Sequence, residues 1–166
     1  MRNVIVDASP MIFIAKAGLI NEFKRLAKKF YVTPRILEEI EFPLKHGIRA
    51  PEVEEIRKAK ILSVVELTAK EMEEVNRIKR SYNQLGLGEA QAAVLWKRGG
   101  FDFVIVADVK AERILRNELK VSVMDVVDVG FELSKKGVNP LQFARKLWEK
   151  AHYRSERIRE ILHRHR

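Results

Sequence analysis

The sequence contains no cysteine. Disulfides, thiolate nucleophiles and cysteine-held zinc or iron–sulfur centres are therefore excluded. Histidine is scarce as well. Of His46, His152, His163 and His165, three stand in the last fifteen residues. His163 and His165 are too close in sequence to face one way on a helix, which argues against a histidine-ligated metal. No apolar run approaches the roughly 18–20 residues that a bilayer span needs, and no signal-peptide pattern opens the chain. Those two absences lead us to expect a soluble, cytoplasmic protein. Glycine-rich phosphate loops are missing too, since Gly86-x-Gly88 is too short for a dinucleotide fingerprint and no Walker motif occurs. A phosphoacceptor receiver domain would need an early acidic pair and a lysine after its last strand, and neither is found.

What is present is a chain of 166 residues, 46% apolar, long enough for one substantial core. Charged residues make up 33% of it, above the roughly 25% of ordinary soluble proteins. The formal charge is +9, and it is uneven. From Arg145 to Arg166 there are eight Lys/Arg and three Glu, a local excess of +5. Such a balance favours a polyanionic partner, most often nucleic acid, over the simpler alternative of a well-solvated surface.

Val4-Ile5-Val6 is a short β-branched run that suits a strand buried on both faces. It ends at Asp7, and a helical pattern follows over 11–17, then another over 19–29 after Gly18. Phe30–Thr33 reads as a second strand. Thr33-Pro34 starts a helix with a good N-cap and a proline at the first helical position. A loop is expected from Pro43 to Pro51, then a polar helix over about 52–59. Residues 61–65 read as a third strand, and Thr68-x-x-Glu71 as the capping box of the next helix. The helix from Glu89 to about Lys97 is apolar nearly all round and should be deeply packed. Residues 103–106 form the fourth strand, ending at Ala107-Asp108, and a helix follows. Residues 121–123 form a short fifth strand and 126–136 a helix. Strands alternating with helices imply an α/β fold with a central parallel sheet of five (or four) strands and helices on both faces. We expect that domain over 1–139 and a basic helical extension of it over 140–166. Leu141, Ala144, Leu147, Trp148 and Ala151 make an apolar stripe on the extension that offers a homodimer face.

Four acids fall at element ends or on inward-prone faces: Asp7, Glu39, Glu89 and Asp108. Each has a plainer role open to it, as an N-cap, a helix-dipole partner or a solvated glutamate. Strands one and four are neighbours in many doubly wound sheets, which would bring Asp7 and Asp108 side by side. Carboxylates gathered in a low-dielectric cleft repel one another, and a hard divalent cation relieves the repulsion. Such a cation can activate water and neutralise charge on a scissile phosphate.

The motifs Val4-Ile5-Val6-Asp7-Ala8-Ser9, Val32-Thr33-Pro34-Arg35-Ile36-Leu37-Glu38-Glu39, Leu85-Gly86-Leu87-Gly88-Glu89-Ala90-Gln91-Ala92 and Val104-Ile105-Val106-Ala107-Asp108 resemble those of the PIN domain. The resemblance is to metal-dependent ribonucleases, and within them to small prokaryotic PIN proteins. It implies a parallel sheet with an acidic pocket at the strand ends, Mg²⁺ or Mn²⁺ as cofactor and RNA as substrate. Asp7, Glu39, Glu89 and Asp108 match the family's acidic positions, with Asp7, Glu89 and Asp108 as metal ligands. Ser9 matches the small polar residue beside the first Asp, and Glu38 competes with Glu39 for the helical position. The strand-four motif often opens with two acids, and here the first place is Ala107, for which Asp125, after strand five, could compensate. The resemblance allows a toxin with an antitoxin partner, an RNA-processing enzyme or a homodimer. The alternative is a PIN-like RNA-binding module that has lost its metal. In the basic tail, Arg154, Arg157, Arg159, Arg164 and Arg166 are candidates for binding phosphate, and Tyr153 for stacking on a base.

Overall fold

A computed structural model describes residues 2–165. Five parallel strands form one sheet: β1 (Asn3–Val6), β2 (Lys29–Val32), β3 (Leu62–Val64), β4 (Phe103–Val106) and β5 (Val123–Asp125), in the order β3-β2-β1-β4-β5. β1 lies in the centre, with Val4 opposite Phe30 on one side and Phe103 on the other. Val4, Ile5 and Val6 and all four residues of β4 are buried, as strands covered on both faces must be. The chain leaves β1 toward β2 and returns on the other side of β1 as β4. The carboxyl ends of β1 and β4 therefore flank the point where the winding reverses, and open α/β sheets carry a crevice there.

The helices are α1 (Ala8–Lys16), α2 (Ile20–Phe23), α3 (Pro34–Lys45), α4 (Pro51–Ala59), α5 (Ala69–Ser81), α6 (Leu87–Arg98), α7 (Val109–Arg113), α8 (Val126–Ser134), α9 (Pro140–Glu149) and α10 (Glu156–Arg164). Thr33 caps α3 by accepting from the Ile36 amide at 3.3 Å, and the Thr68/Glu71 box closes on α5 in both directions. α6 packs on β1 and β4, with α5 beside it. Its buried run from Ala90 to Leu95 reflects that enclosure. Among the described residues no helix is long and apolar enough to cross a membrane.

Several boundaries differ from the sequence reading, each for a local reason. The segment 19–29 holds only the single turn of α2, because the chain must reach Lys29 to begin β2. α3 runs through Pro43 to Lys45; the proline sits in its last turn, where only one intrahelical bond is lost. α6 starts at Leu87, two residues before Glu89. β5 lies at 123–125 rather than 121–123. A π turn over Ile114–Glu118 follows α7, and Lys120 adopts a left-handed φ of 57°, so the connection uses more chain than a plain helix end. The apolar stripe of α9 also finds its partners at home. Phe143, Ala144, Leu147 and Ala151 are buried, and α9 packs on α1 and α8. Leu141 and Trp148, at the edge of that stripe, stay half-buried.

Gly130 marks how closely α8 and α9 approach. A Cβ there would meet Cδ1 of Phe143 at 2.7 Å. Replacing a helical glycine by alanine ordinarily gains about 1 kcal/mol, whereas forcing a carbon into a packed core costs about 1–3 kcal/mol. We expect the steric cost to win, so that Gly130→Ala lowers the urea midpoint. Phe143→Leu in the same chain should recover part of the loss, giving a non-additive double-mutant cycle. Additive effects would mean that the two helices separate freely.

Candidate acidic active site

Asp7 is the first residue beyond β1. Its backbone opens α1 as the N-cap, yet its carboxylate makes no capping hydrogen bond. It is only 6% exposed, and burial pushes its pKa up to about 7. The charge of Glu89 pushes the same way, the Ala8 amide pulls down, and the charges of Glu39 and Asp108 add lesser upward pushes. The other three expected acids, Glu39 from α3, Glu89 from α6 and Asp108 from the end of β4, therefore stand within electrostatic reach of Asp7.

Each of the other three is held by its own element. Glu89 is half-buried in the first turn of α6, where its Oε1 accepts from the Gly86 amide at 2.8 Å. Burial raises its pKa, the Gly86 amide pulls it down, and the charges of Asp108 and Glu39 raise it again. Glu39 is tethered one helical turn on from Arg35, whose Nε donates to it at 3.1 Å. Glu38, the competing position, is exposed, and Glu39 is the glutamate whose charge reaches Asp7. Asp108 is exposed and caps α7 by accepting from the Lys110 amide at 3.1 Å. Both the plain role and the proximity to other acids therefore hold for Glu89 and Asp108. Ser9, the expected neighbour of Asp7, is exposed in the first turn of α1.

Gly88 is what lets these groups close up. A Cβ on it would lie 3.2 Å from Glu39 Oε2 and 3.4 Å from Asp7 Oδ1. The helix start therefore approaches the two carboxylates backbone first. The glycine stands in the most distinctive motif of the sequence, but nothing in the pattern says which side chains it admits.

Asp125 belongs to a second acidic group. Its carboxylate caps α8 through the Asp128 amide at 2.8 Å, and the Asp128 carboxylate accepts from the Asp125 amide at 3.0 Å. Glu112, Asp125 and Asp128 are the one trio among the described residues whose carboxylate oxygens all lie within 4.8 Å of one another. Cations already occupy it. Arg157 Nη1 donates to Asp125 Oδ2 at 2.5 Å and to Asp128 Oδ1 at 2.9 Å, and Arg116 pairs with Glu112 at 2.8 Å. The trio is geometrically tighter than the Asp7 cleft. A divalent ion entering it would have to displace a guanidinium, whereas the strongest charges acting on Asp7 are all negative. The donor set of the Asp7 cleft, four hard carboxylates offset only by Arg35 at Glu39 and weakly by Lys79 at Glu89, fits Mg²⁺ or Mn²⁺.

Two tail residues depart from their expected roles. Tyr153 is 8% exposed, lies against Phe13 with ring centroids 4.6 Å apart, and donates its hydroxyl to the Ala107 carbonyl at 2.9 Å. It has no free face for a base. Burial, with the charges of Asp125 and Glu112, holds its phenol well above the usual value, so it remains a proton donor. Arg157 pairs with Asp125 and Asp128 while its side chain stays 46% exposed. Arg154, Arg159 and Arg164 are exposed, and Arg166 lies outside the described residues.

The raised pKa of Asp7 fixes the sign of a pH effect. Folding favours the protonated acid, so its contribution is complete below about pH 4 and is lost as pH rises through about 7. In chelator, Asp7→Asn should match the wild type in urea stability near pH 4. At pH 8 the variant should be more stable, by on the order of a few kcal/mol. A difference that does not change with pH would mean that Asp7 is ionised and satisfied in the fold.

No curated protein matches the chain. A family model for the PIN domain matches residues 3–164, from the first residue of β1 to the end of α10. Parallel sheet, switch-point cleft and tail all fall within that match, and the chain belongs to the PIN domain family, whose members are generally nucleases that use divalent metal ions.

Proposed function

We propose that this protein is a Mg²⁺- or Mn²⁺-dependent endoribonuclease whose reacting centre is the cleft of Asp7, Glu39, Glu89 and Asp108. The observation that carries the reading is Asp7, a carboxylate nearly withdrawn from water and pressed by three other acids. Folding does not favour an ionised acid in that position, so a cation-binding role accounts for it where a capping role does not. Asp7, Glu89 and Asp108 would hold the metal, directly or through water, with Glu39 completing the ring. A bound divalent ion supplies charge neutralisation at the scissile phosphate and a water acidic enough to attack it.

The chain's own groups keep the ligands ready. The Gly86 amide orients Glu89, the Lys110 amide orients Asp108, and Arg35 keeps Glu39 from turning away. These hydrogen bonds fix the carboxylates before substrate arrives, so little reorganisation remains for the reaction. Asp108 is the exposed member of the four and would be the first to meet an incoming phosphodiester.

Cleavage of single-stranded RNA should require Mg²⁺ or Mn²⁺ and cease in excess chelator. Asp7→Asn, which keeps the shape and removes the charge, should lower the rate by about two orders of magnitude or more while remaining folded. Full activity in that variant or in chelator overturns the mechanism. A wild type that binds RNA with metal present and never cuts it would make the chain an RNA-binding module instead.

The exposed arginines of α10 are proposed to meet the RNA backbone. Arg159 is only loosely held, by an exposed pair with Glu156 at 3.3 Å, which adds little stability on its own. Replacing Arg159 and Arg164 by Gln should flatten the dependence of log affinity on log salt by about 0.7 for each phosphate that is no longer neutralised. Identical slopes would remove α10 from the RNA path.

A further inference from the structure

Between α9 and α10 the chain makes a short turn that has no role in the acid cleft as described. His152 takes a left-handed φ of 54°, rare outside glycine, and Tyr153 immediately after it points into the protein. Both sides of the turn are anchored. The Tyr153 amide donates to the Leu147 carbonyl at 3.0 Å, and Arg154 lies over the Trp148 ring at 4.3 Å. Further on, Arg157 closes on Asp125 and Asp128. A turn tied at so many points holds the Tyr153 ring against Phe13 of α1, the helix that begins beside Asp7. Its hydroxyl reaches the Ala107 carbonyl, the peptide oxygen directly before Asp108.

We propose that Tyr153 is a positioning residue for the acid cleft, holding the β4–α7 turn through the Ala107 carbonyl and so fixing where the Asp108 carboxylate stands. Asp108 is otherwise the least enclosed of the four acids, exposed and held only by the Lys110 amide of a five-residue helix. Tyr153 bonds to the backbone, so the restraint acts whatever side chain stands at 107. It therefore works with Ala107, where related motifs often have an acid. The basic extension thus serves the cleft from behind. Arg157 keeps the extension seated on β5 and α8, and Tyr153 transmits that seating to β4. Outer hydrogen bonds of this kind are worth about 10–100-fold in metal affinity or activity when removed.

This inference rests on the acid cleft being the metal site, and the experiment separates the two. Tyr153→Phe removes the hydroxyl and keeps the ring on Phe13. Mn²⁺ affinity is measured by calorimetry on the full chain, at a temperature where circular dichroism shows the variant folded. RNA cleavage is measured alongside. We expect the Mn²⁺ dissociation constant to rise about tenfold and kcat to fall, with KM for RNA within about twofold of wild type. Asn139→Ala, which removes the cap of α9 and touches neither turn nor cleft, serves as the stability control. It should leave Mn²⁺ affinity unchanged. A folded Tyr153→Phe with wild-type Mn²⁺ affinity and kcat overturns the inference alone, as does an equal loss of affinity in Asn139→Ala. A wild type that binds no Mn²⁺ overturns the reading of the cleft and this inference with it.

Discussion

The Asp7 carboxylate is buried at the end of the central strand, makes no capping bond into α1, and has only the pull of the Ala8 amide to set against its burial. Burial costs a charged group far more than it costs an apolar one, and three further acids around it add repulsion. The fold supports this because β1 is locked by parallel partners on both sides and by the Asp7 amide, which donates to the Ile105 carbonyl at 3.0 Å. That ladder fixes the Asp7 backbone, and so the point from which its side chain projects, at the end of the strand. Gly88 then brings α6 against it, and α3 brings Glu39, so the surrounding helices concentrate charge rather than disperse it.

The two acidic groups at the carboxyl edge of the sheet illustrate opposite solutions to the same electrostatic problem. Glu112, Asp125 and Asp128 are neutralised from within by Arg116 and Arg157 and serve as caps and anchors. The Asp7 group is left with Arg35 on its rim and only a minor influence from Lys79 on Glu89. A pair of guanidinium groups makes the difference between an acidic cluster that holds a helix in place and one that is short of positive charge. Removing Arg157 would leave the buried Asp125 without its counter-charge, which is costly in a low-dielectric setting, whereas removing an acid from the Asp7 group relieves repulsion.

Charge alone misjudges part of the extension after Pro140. Arg157 and Tyr153 belong to a stretch whose composition suits a solvated, nucleic-acid-facing helix. The fold instead directs the first into an ion pair and the second into a buried hydrogen bond. The partners, Asp125, Asp128 and Ala107, lie 29 to 46 residues earlier in the chain. No periodicity within the tail could name them. A clue does exist in Tyr153 itself, an aromatic residue set between the apolar pattern of Ala151 and that of Ile158.

Local chemistry is sufficient for much of the rest. β-Branched runs without polar alternation announce a buried parallel sheet, Thr33-Pro34 and Thr68-x-x-Glu71 announce two helix starts, and carboxylates just past strands one and four announce a cleft. The strand and helix-start signals are carried by residues within one or two turns of each other, and each carboxylate is read from its place at the end of its own strand, where covalent spacing decides propensity and hydrogen-bonding reach. The sequence did not determine the register of α3, which gives Glu39 rather than Glu38 to the cleft, or the two-residue displacement of β5 behind a π turn. It also did not determine which of two acidic groups would keep its charge. Only the tertiary structure decided these, because each depends on how elements far apart in the chain pack, and on whether that packing delivers a guanidinium to a carboxylate or leaves it in the company of other acids.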